Sequence, residues 1–143
     1  MSKYLVVTHQ TALTRELQRK VSALVAEDPS AEFAVLVPDE RELALTWDGE
    51  TVDEARHRAE AAKTLLEETA GARVFRIAVG ASEPLRAIAD ELHEHPGYDT
   101  LVICTLPPGM SRWLKLDLVH RAERKFGLRV VHVVAEAPAQ ARK

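Results

Sequence analysis

Cysteine occurs once in the 143 residues, at Cys104. A single thiol excludes an internal disulfide and any thiolate cluster for zinc, and in an apolar run a lone cysteine is more often a small core residue than a nucleophile. Charge of one sign is scarce as well. The 19 Lys and Arg against 22 Asp and Glu leave a net charge of −3, spread along the chain rather than blocked. There is no basic face for a phosphate backbone and no acidic tail, so nucleic acid is not expected as a partner. Long apolar runs are missing too. No stretch approaches the ~20 residues that cross a bilayer, and the run in the opening Met-Ser-Lys-Tyr-Leu-Val-Val-Thr-His is far shorter than a signal-peptide core. The expectation is a cytoplasmic protein with no membrane partner. Nor does the spacing show a nucleophile beside a base or carboxylates paired for acid–base work, so nothing in it marks an enzyme.

What is present is apolar and periodic. A chain of this length with 46% hydrophobic residues buries one full core and is too short for two ordinary domains. Residues 1–136 are expected to form a single domain and 137–143 a frayed tail. Short aliphatic runs at 4–8, 33–37, 74–79, 100–104 and 128–134 read as strands. Between them lie helical patterns. The first has Thr11 as N-cap, Leu13, Leu17, Val21, Leu24 and Val25 on one face, and a stop near Asp28-Pro29. Pro38 ends the second strand, and the polar stretch 39–50, with a turn at Trp47-Asp48-Gly49, reads as a long loop. Thr51-Val52-Asp53-Glu54 is a capping-box pattern, followed by a face of Ala55, Ala59, Ala62, Leu65 and Leu66 and closed by Gly71. Ser82 is the expected N-cap of the third helix, with Pro84 in its first turn, Leu85, Ile88, Ala89 and Leu92 facing the core, and His95-Pro96-Gly97 at its end. A fourth helix runs to about 126.

Five strands alternating with four helices predict an α/β fold: a parallel sheet of order 3-2-1-4-5, doubly wound with helices on both faces. Open sheets of this kind bind ligands at the carboxyl ends of their strands. The candidate crevice residues there are Thr8, His9, Gly80, Cys104, Thr105, Gly109, Ser111, Arg112 and Asp117. Gly109, Ser111, Arg112 and Lys115 combine a flexible turn, a hydroxyl and two cations near a helix start, which suits a small anion or carboxylate. The same residues also fit a plain cap and solvated surface charges, with Trp113 packed on the sheet edge or covering a pocket. His9 is a candidate proton carrier. His93 and His95 lie near a helix end, where a cation suits the dipole, and their spacing does not give a shared metal ligand. His57 and His120 read as helix-surface residues, and His132, alternating with Val131 and Val133, as a candidate interface residue. No metal site is expected.

The order and lengths of these elements, over nearly the whole chain, resemble the universal stress protein family, a branch of the adenine-nucleotide-binding α/β folds. The resemblance implies an acidic residue after the first strand that contacts adenine. It also implies a Gly-x-x-Gly, nine-residue, Gly-Ser/Thr pattern after the fourth strand that holds ribose and phosphates. Aligned through Thr100-Leu101-Val102-Ile103, that pattern places Cys104 at its first glycine, Pro107 at its second, Asp117 at its third and Leu118 at the Ser/Thr. His9 falls at the acidic position. Every one of these positions departs from the family.

Proline removes a backbone donor and stiffens the turn, so Pro107 and Pro108 weaken a phosphate cradle directly. Asp117 can cap the helix start from within the chain and repel an incoming phosphate by about 1 kcal/mol or more per charge pair. The alternative is that Asp117 is only a surface N-cap. Together these residues suggest a divergent member with the family's crevice but not its nucleotide grip, binding no cofactor, with ATP disfavoured. The other readings are an adenine-nucleotide binder with an altered phosphate loop, to which the resemblance adds slow hydrolysis or autophosphorylation, and a small hydrolase using His9, which lacks a nucleophile. The last strand, Arg129 to Val134, is an aliphatic edge in the expected order. An exposed edge of this kind invites pairing with a second copy, and the resemblance implies the same, so a homodimer through this strand is expected.

Overall fold

The computed structural model describes residues 2–8, 15–38, 50–80, 83–105 and 117–134. Its elements are β1 (Lys3–Val7), α1 (Arg15–Glu27), β2 (Glu32–Pro38), α2 (Glu50–Ala70), β3 (Arg73–Gly80), α3 (Pro84–Glu94), β4 (Thr100–Thr105), α4 (Leu118–Phe126) and β5 (Arg129–Val134). All five strands pair in parallel, in the order β3-β2-β1-β4-β5. The α/β class and the strand order are those the sequence predicts.

Strands in the middle of such a sheet are covered on both faces, so they need apolar side chains at every position rather than at alternate ones. Leu5, Val6 and Val7 of β1 and Leu101, Val102 and Ile103 of β4 are fully buried. Alternation along each strand divides the core into two clusters. Tyr4, Val6, Phe33, Val35, Val37, Val102 and Val133 pack with Leu17, Val21 and Leu24 of α1 and Ala59, Ala62 and Leu66 of α2. Leu5, Val7, Leu36, Leu101 and Ile103 pack with Leu85 and Ile88 of α3 and Leu118 and Ala122 of α4. Two helices therefore cover each face. The Tyr4 and Phe33 rings stack at 4.9 Å on the α1/α2 side, a pairing worth about 1 kcal/mol beyond the area it buries.

Between β2 and β3 the register shifts at Phe33/Ala34: Val74 lies opposite Phe33, while Arg76 lies opposite Ala34. Phe75 is thus an extra residue, a β-bulge. An uninterrupted strand would turn Arg76 to the same face as Val74. With the bulge, Val74 still packs with the α1/α2 cluster together with Ile77 and Val79, and Arg76 reaches Glu91 of α3. Arg76 Nε and Nη2 donate to the Glu91 carboxylate at 2.9 and 3.2 Å, and the Tyr98 hydroxyl donates to it at 2.8 Å. Glu91 is 4% exposed, and these bonds are what make a carboxylate tolerable there. The bond to Glu91 holds the Arg76 guanidinium above its usual range. Burial, reinforced by Glu91, pushes the Tyr98 phenol well above its own.

Three local expectations change. The α2 segment begins at Glu50, so Thr51 lies inside the helix rather than before it. In α3 the N-cap is Glu83, whose carboxylate accepts from the backbone N–H groups of Leu85 at 3.1 Å and Arg86 at 2.9 Å. That longer side chain takes the role expected of Ser82, and Pro84 follows at the first helical position, where a missing N–H costs nothing. The buried face of α3 includes Ala87 and Glu91, with Ala89 only partly covered. The expectations for Thr11, Leu13, the 39–49 loop with its Trp47-Asp48-Gly49 turn, and the 137–143 tail fall outside the described residues. None of the described helices is long and apolar enough to cross a membrane.

Candidate functional site

The order in which strands are added to the sheet reverses between β1 and β4, which lie side by side and parallel. At such a switch point the loops leave toward opposite faces and open a crevice beyond the strand ends. Thr8 follows β1 there; it is fully buried, and its backbone N–H donates to the Leu36 carbonyl at 3.1 Å. Cys104 and Thr105 close β4, both about 1% exposed. The Cys104 side chain belongs to the α1/α2 core cluster. Asp117 stands at the start of α4. His9, Gly109, Ser111 and Arg112, together with Pro107, Trp113 and Lys115, lie outside the described residues.

Gly80 ends β3 at the far edge of the sheet, and packing accounts for its lack of a side chain. A Cβ there would stand 2.7 Å from Ala87 Cβ and 3.1 Å from Leu36 Cδ1. The first distance is shorter than real carbon contacts allow, so Gly80 lets α3 approach the sheet.

Asp117 departs from its expected role. It occupies the N-cap position, yet its side chain makes no cap hydrogen bond. The carboxylate turns along the helix instead. Oδ1 accepts from His120 Nδ1 at 2.9 Å, and Oδ2 lies 4.0 Å from Arg124 Nη2. These pairs are exposed and individually weak. The backbone is more telling. Asp117 has φ 56° and ψ 41°, and it is the one non-glycine residue with positive φ among the described residues. Side chains make this left-handed region costly, with Asp and Asn the least penalised after Gly. Asp117 thus has a backbone of the kind glycine adopts, but carries a carboxylate.

Toward the carboxyl ends of β4 and β5 is a pair the sequence analysis did not join. Thr105 Oγ1 and His132 Nε2 share a hydrogen bond of 2.8 Å. The hydroxyl donates when Nε2 is bare and accepts when Nε2 carries a proton. Partial burial of the ring, with a smaller contribution from His120, holds the His132 pKa below its ordinary value. The signal for this pair was the register. Ile103 pairs with His132 and Thr105 with Val134, so Thr105 and His132 are diagonal neighbours on one face.

The described residues contain no group of three or more His, Cys, Asp or Glu that could hold a metal ion. A shallow groove of about 440 Å³ lies along the exposed faces of α1 and α2, lined by Arg15, Arg19, Ser22 and Thr69 among others. None of the described candidate crevice residues lines it.

No protein-family model matches the chain, and no curated protein matches it in sequence. Among solved structures, the chain is similar to a universal stress protein from Archaeoglobus fulgidus, with a TM-score of 0.65 and 17% identity, covering 93% of each chain. It is also similar to a universal stress protein in complex with cAMP, with a TM-score of 0.63 and 16% identity over 93% of this chain and 96% of that one. The chain therefore has the universal stress protein fold over nearly its whole length.

Proposed function

We propose that this chain is a universal stress protein-like binding and interaction module that does not hold ATP. The observation carrying this reading is Asp117: a glycine-type backbone at the mouth of α4 bearing a negative charge that is 54% exposed. A nucleotide phosphate approaching that helix start meets repulsion where the family pattern has a glycine. A small anion or carboxylate near Ser111 and Arg112 is the ligand class that the residue types favour.

A second reading has one observation in its favour: a structural neighbour of this fold is in complex with cAMP. Under it, the chain binds an adenine nucleotide through an altered phosphate loop. Thermal shift with ATP and magnesium separates the two, comparing wild type with Asp117→Gly. Response in the glycine variant alone supports the role given to Asp117. An equal response in both supports the second reading, and no response in either rejects the electrostatic role.

The module acts as a homodimer through β5. The two sheet edges differ in a way that supports this choice. β3 carries the bulge at Phe75, a device that discourages edge pairing, whereas β5 is six residues long and in unbroken register, with Val134 42% exposed. Sedimentation at micromolar concentration should give a dimer that a proline at Val131 or His132 converts to monomer; a wild-type monomer rejects the pairing.

A further inference from the structure

The exposed side of α1 carries its charges the wrong way round for a lone helix. Arg15, Arg19, Ala23 and Glu27 follow one another at four-residue steps, a spacing that sets them in one row, and all four are exposed. A helix start favours acids and a helix end favours bases. This row opens on two arginines, whose one-turn spacing adds like-charge repulsion. It closes on a glutamate, and the last turn holds no base. Glu16, the acid of the first turn, lies about 100° around the helix from Arg15. Among the described residues, Arg15, Arg19 and Glu27 enter no ion pair.

The row borders the groove of about 440 Å³ between α1 and α2, which Arg15, Arg19, Ala23, Ala26 and Thr69 line. Both helices return from the carboxyl end of one parallel strand to the start of the next, so their last turns lie at the same end of the sheet. There exposed Glu67 and Glu68 precede Thr69 and add to the negative charge of Glu27. The groove is thus basic at one end, acidic at the other and lined by alanine between.

We propose that this face binds a second copy of the chain, α1 against α1, antiparallel across a two-fold axis. A two-fold interface must complement itself, and this row does. Turned end to end about its middle, Arg15 meets the partner's Glu27, Glu27 meets the partner's Arg15, and each Arg19 lies over the small side chain of the partner's Ala23. Antiparallel pairing also sets each helix start beside the other helix end, where the dipoles attract. The arrangement that costs an isolated helix stability is therefore the one that a second copy offsets. A purely acidic partner would satisfy the arginines but leave Glu27, Glu67 and Glu68 facing like charge. The contact is separate from the β5 edge, because α1 covers a face of the sheet. One helix pair buries less than a standard interface, so the association is weak and sensitive to salt.

Sedimentation of the full chain from micromolar to millimolar concentration tests this, at about 0.05 M salt and again at about 0.5 M, where exposed ion pairs are screened. At the lower salt the wild-type mass rises with concentration above that of the species present at micromolar protein, and at the higher salt it rises less. Arg15→Glu and Glu27→Arg each place like charges at both contacts and weaken the association about tenfold. Each also suits the helix dipole better than the native residue, so the fold is kept, as circular dichroism checks. Mixed in equal amounts, the two variants regain the wild-type association, because each acidic position of one then faces a basic position of the other. A wild-type mass that does not rise by millimolar protein, a variant that associates like wild type, or a mixture that does not regain the association overturns the proposal. Pairing through β5 is indifferent to both substitutions, so a dimer unchanged in every sample would leave that pairing standing and reject this one.

Discussion

Arg76 and Glu91 meet across the α3 side of the sheet because Phe75, one residue earlier, is inserted as a bulge. The guanidinium and carboxylate are joined by bonds of 2.9 and 3.2 Å, and the acid is almost wholly buried. A buried pair adds little net stability against an apolar pair of the same shape, but breaking it by removing one partner is costly. Arg76→Met should therefore destabilise the protein by about 2–3 kcal/mol, somewhat less than breaking a fully buried pair costs, because the arginine side chain is about one-third exposed. Adding Glu91→Leu should recover most of that loss. Urea denaturation of the single and double variants reads both effects.

Gly80 makes a similar claim about space rather than charge. Gly80→Ala places a methyl 2.7 Å from Ala87 Cβ and should cost about 1–2 kcal/mol, as overpacking does. Gly80→Ala with Ala87→Gly removes the clash and should be more stable than Gly80→Ala alone, although a helical glycine costs about 1 kcal/mol. A double variant no more stable than the single one would contradict the packing role.

Asp117 holds a left-handed backbone without a capping bond to compensate. Asp117→Gly should be more stable than Asp117→Ala by about 1 kcal/mol, since alanine has the steric penalty without the local polarity that eases it for aspartate. Thermal denaturation of the two variants measures this difference without reference to any ligand.

His132 makes stability depend on pH in a defined direction. Its folded pKa lies below the ordinary 6.5, so below that value the unfolded chain binds the proton more readily than the native one. The resulting stability is fully present above pH 6.5 and is lost as pH falls through it toward the folded value. The loss between pH 7.5 and 5.5 should be smaller in His132→Gln than in wild type, read by chemical denaturation at each pH. An equal loss in both would remove His132 as the source.

The architecture was legible because parallel strands buried on both faces are written as continuous aliphatic runs, and Tyr4 to Val7 and Thr100 to Cys104 are such runs. The helices were legible from their spacing, as with Leu17, Val21 and Leu24. The bulge was not. Phe75 and Arg76 fit an ordinary alternation, and only pairing with Phe33 and Ala34 shows that one residue is extra. Glu83 was missed as a cap because a preferred capping residue, Ser82, stands beside it. At Asp117 the residue type suggested a cap, but the type does not reveal a positive φ or the turn toward His120. The Thr105–His132 bond joins residues 27 apart in sequence, a relation that the register of two paired strands fixes and local spacing cannot.

Whether Asp117 has replaced nucleotide phosphate is the central question, and calorimetric titration of the wild-type protein with ATP and magnesium answers it most directly. The account predicts no saturable heat up to millimolar nucleotide. Saturable binding in the micromolar range would contradict it.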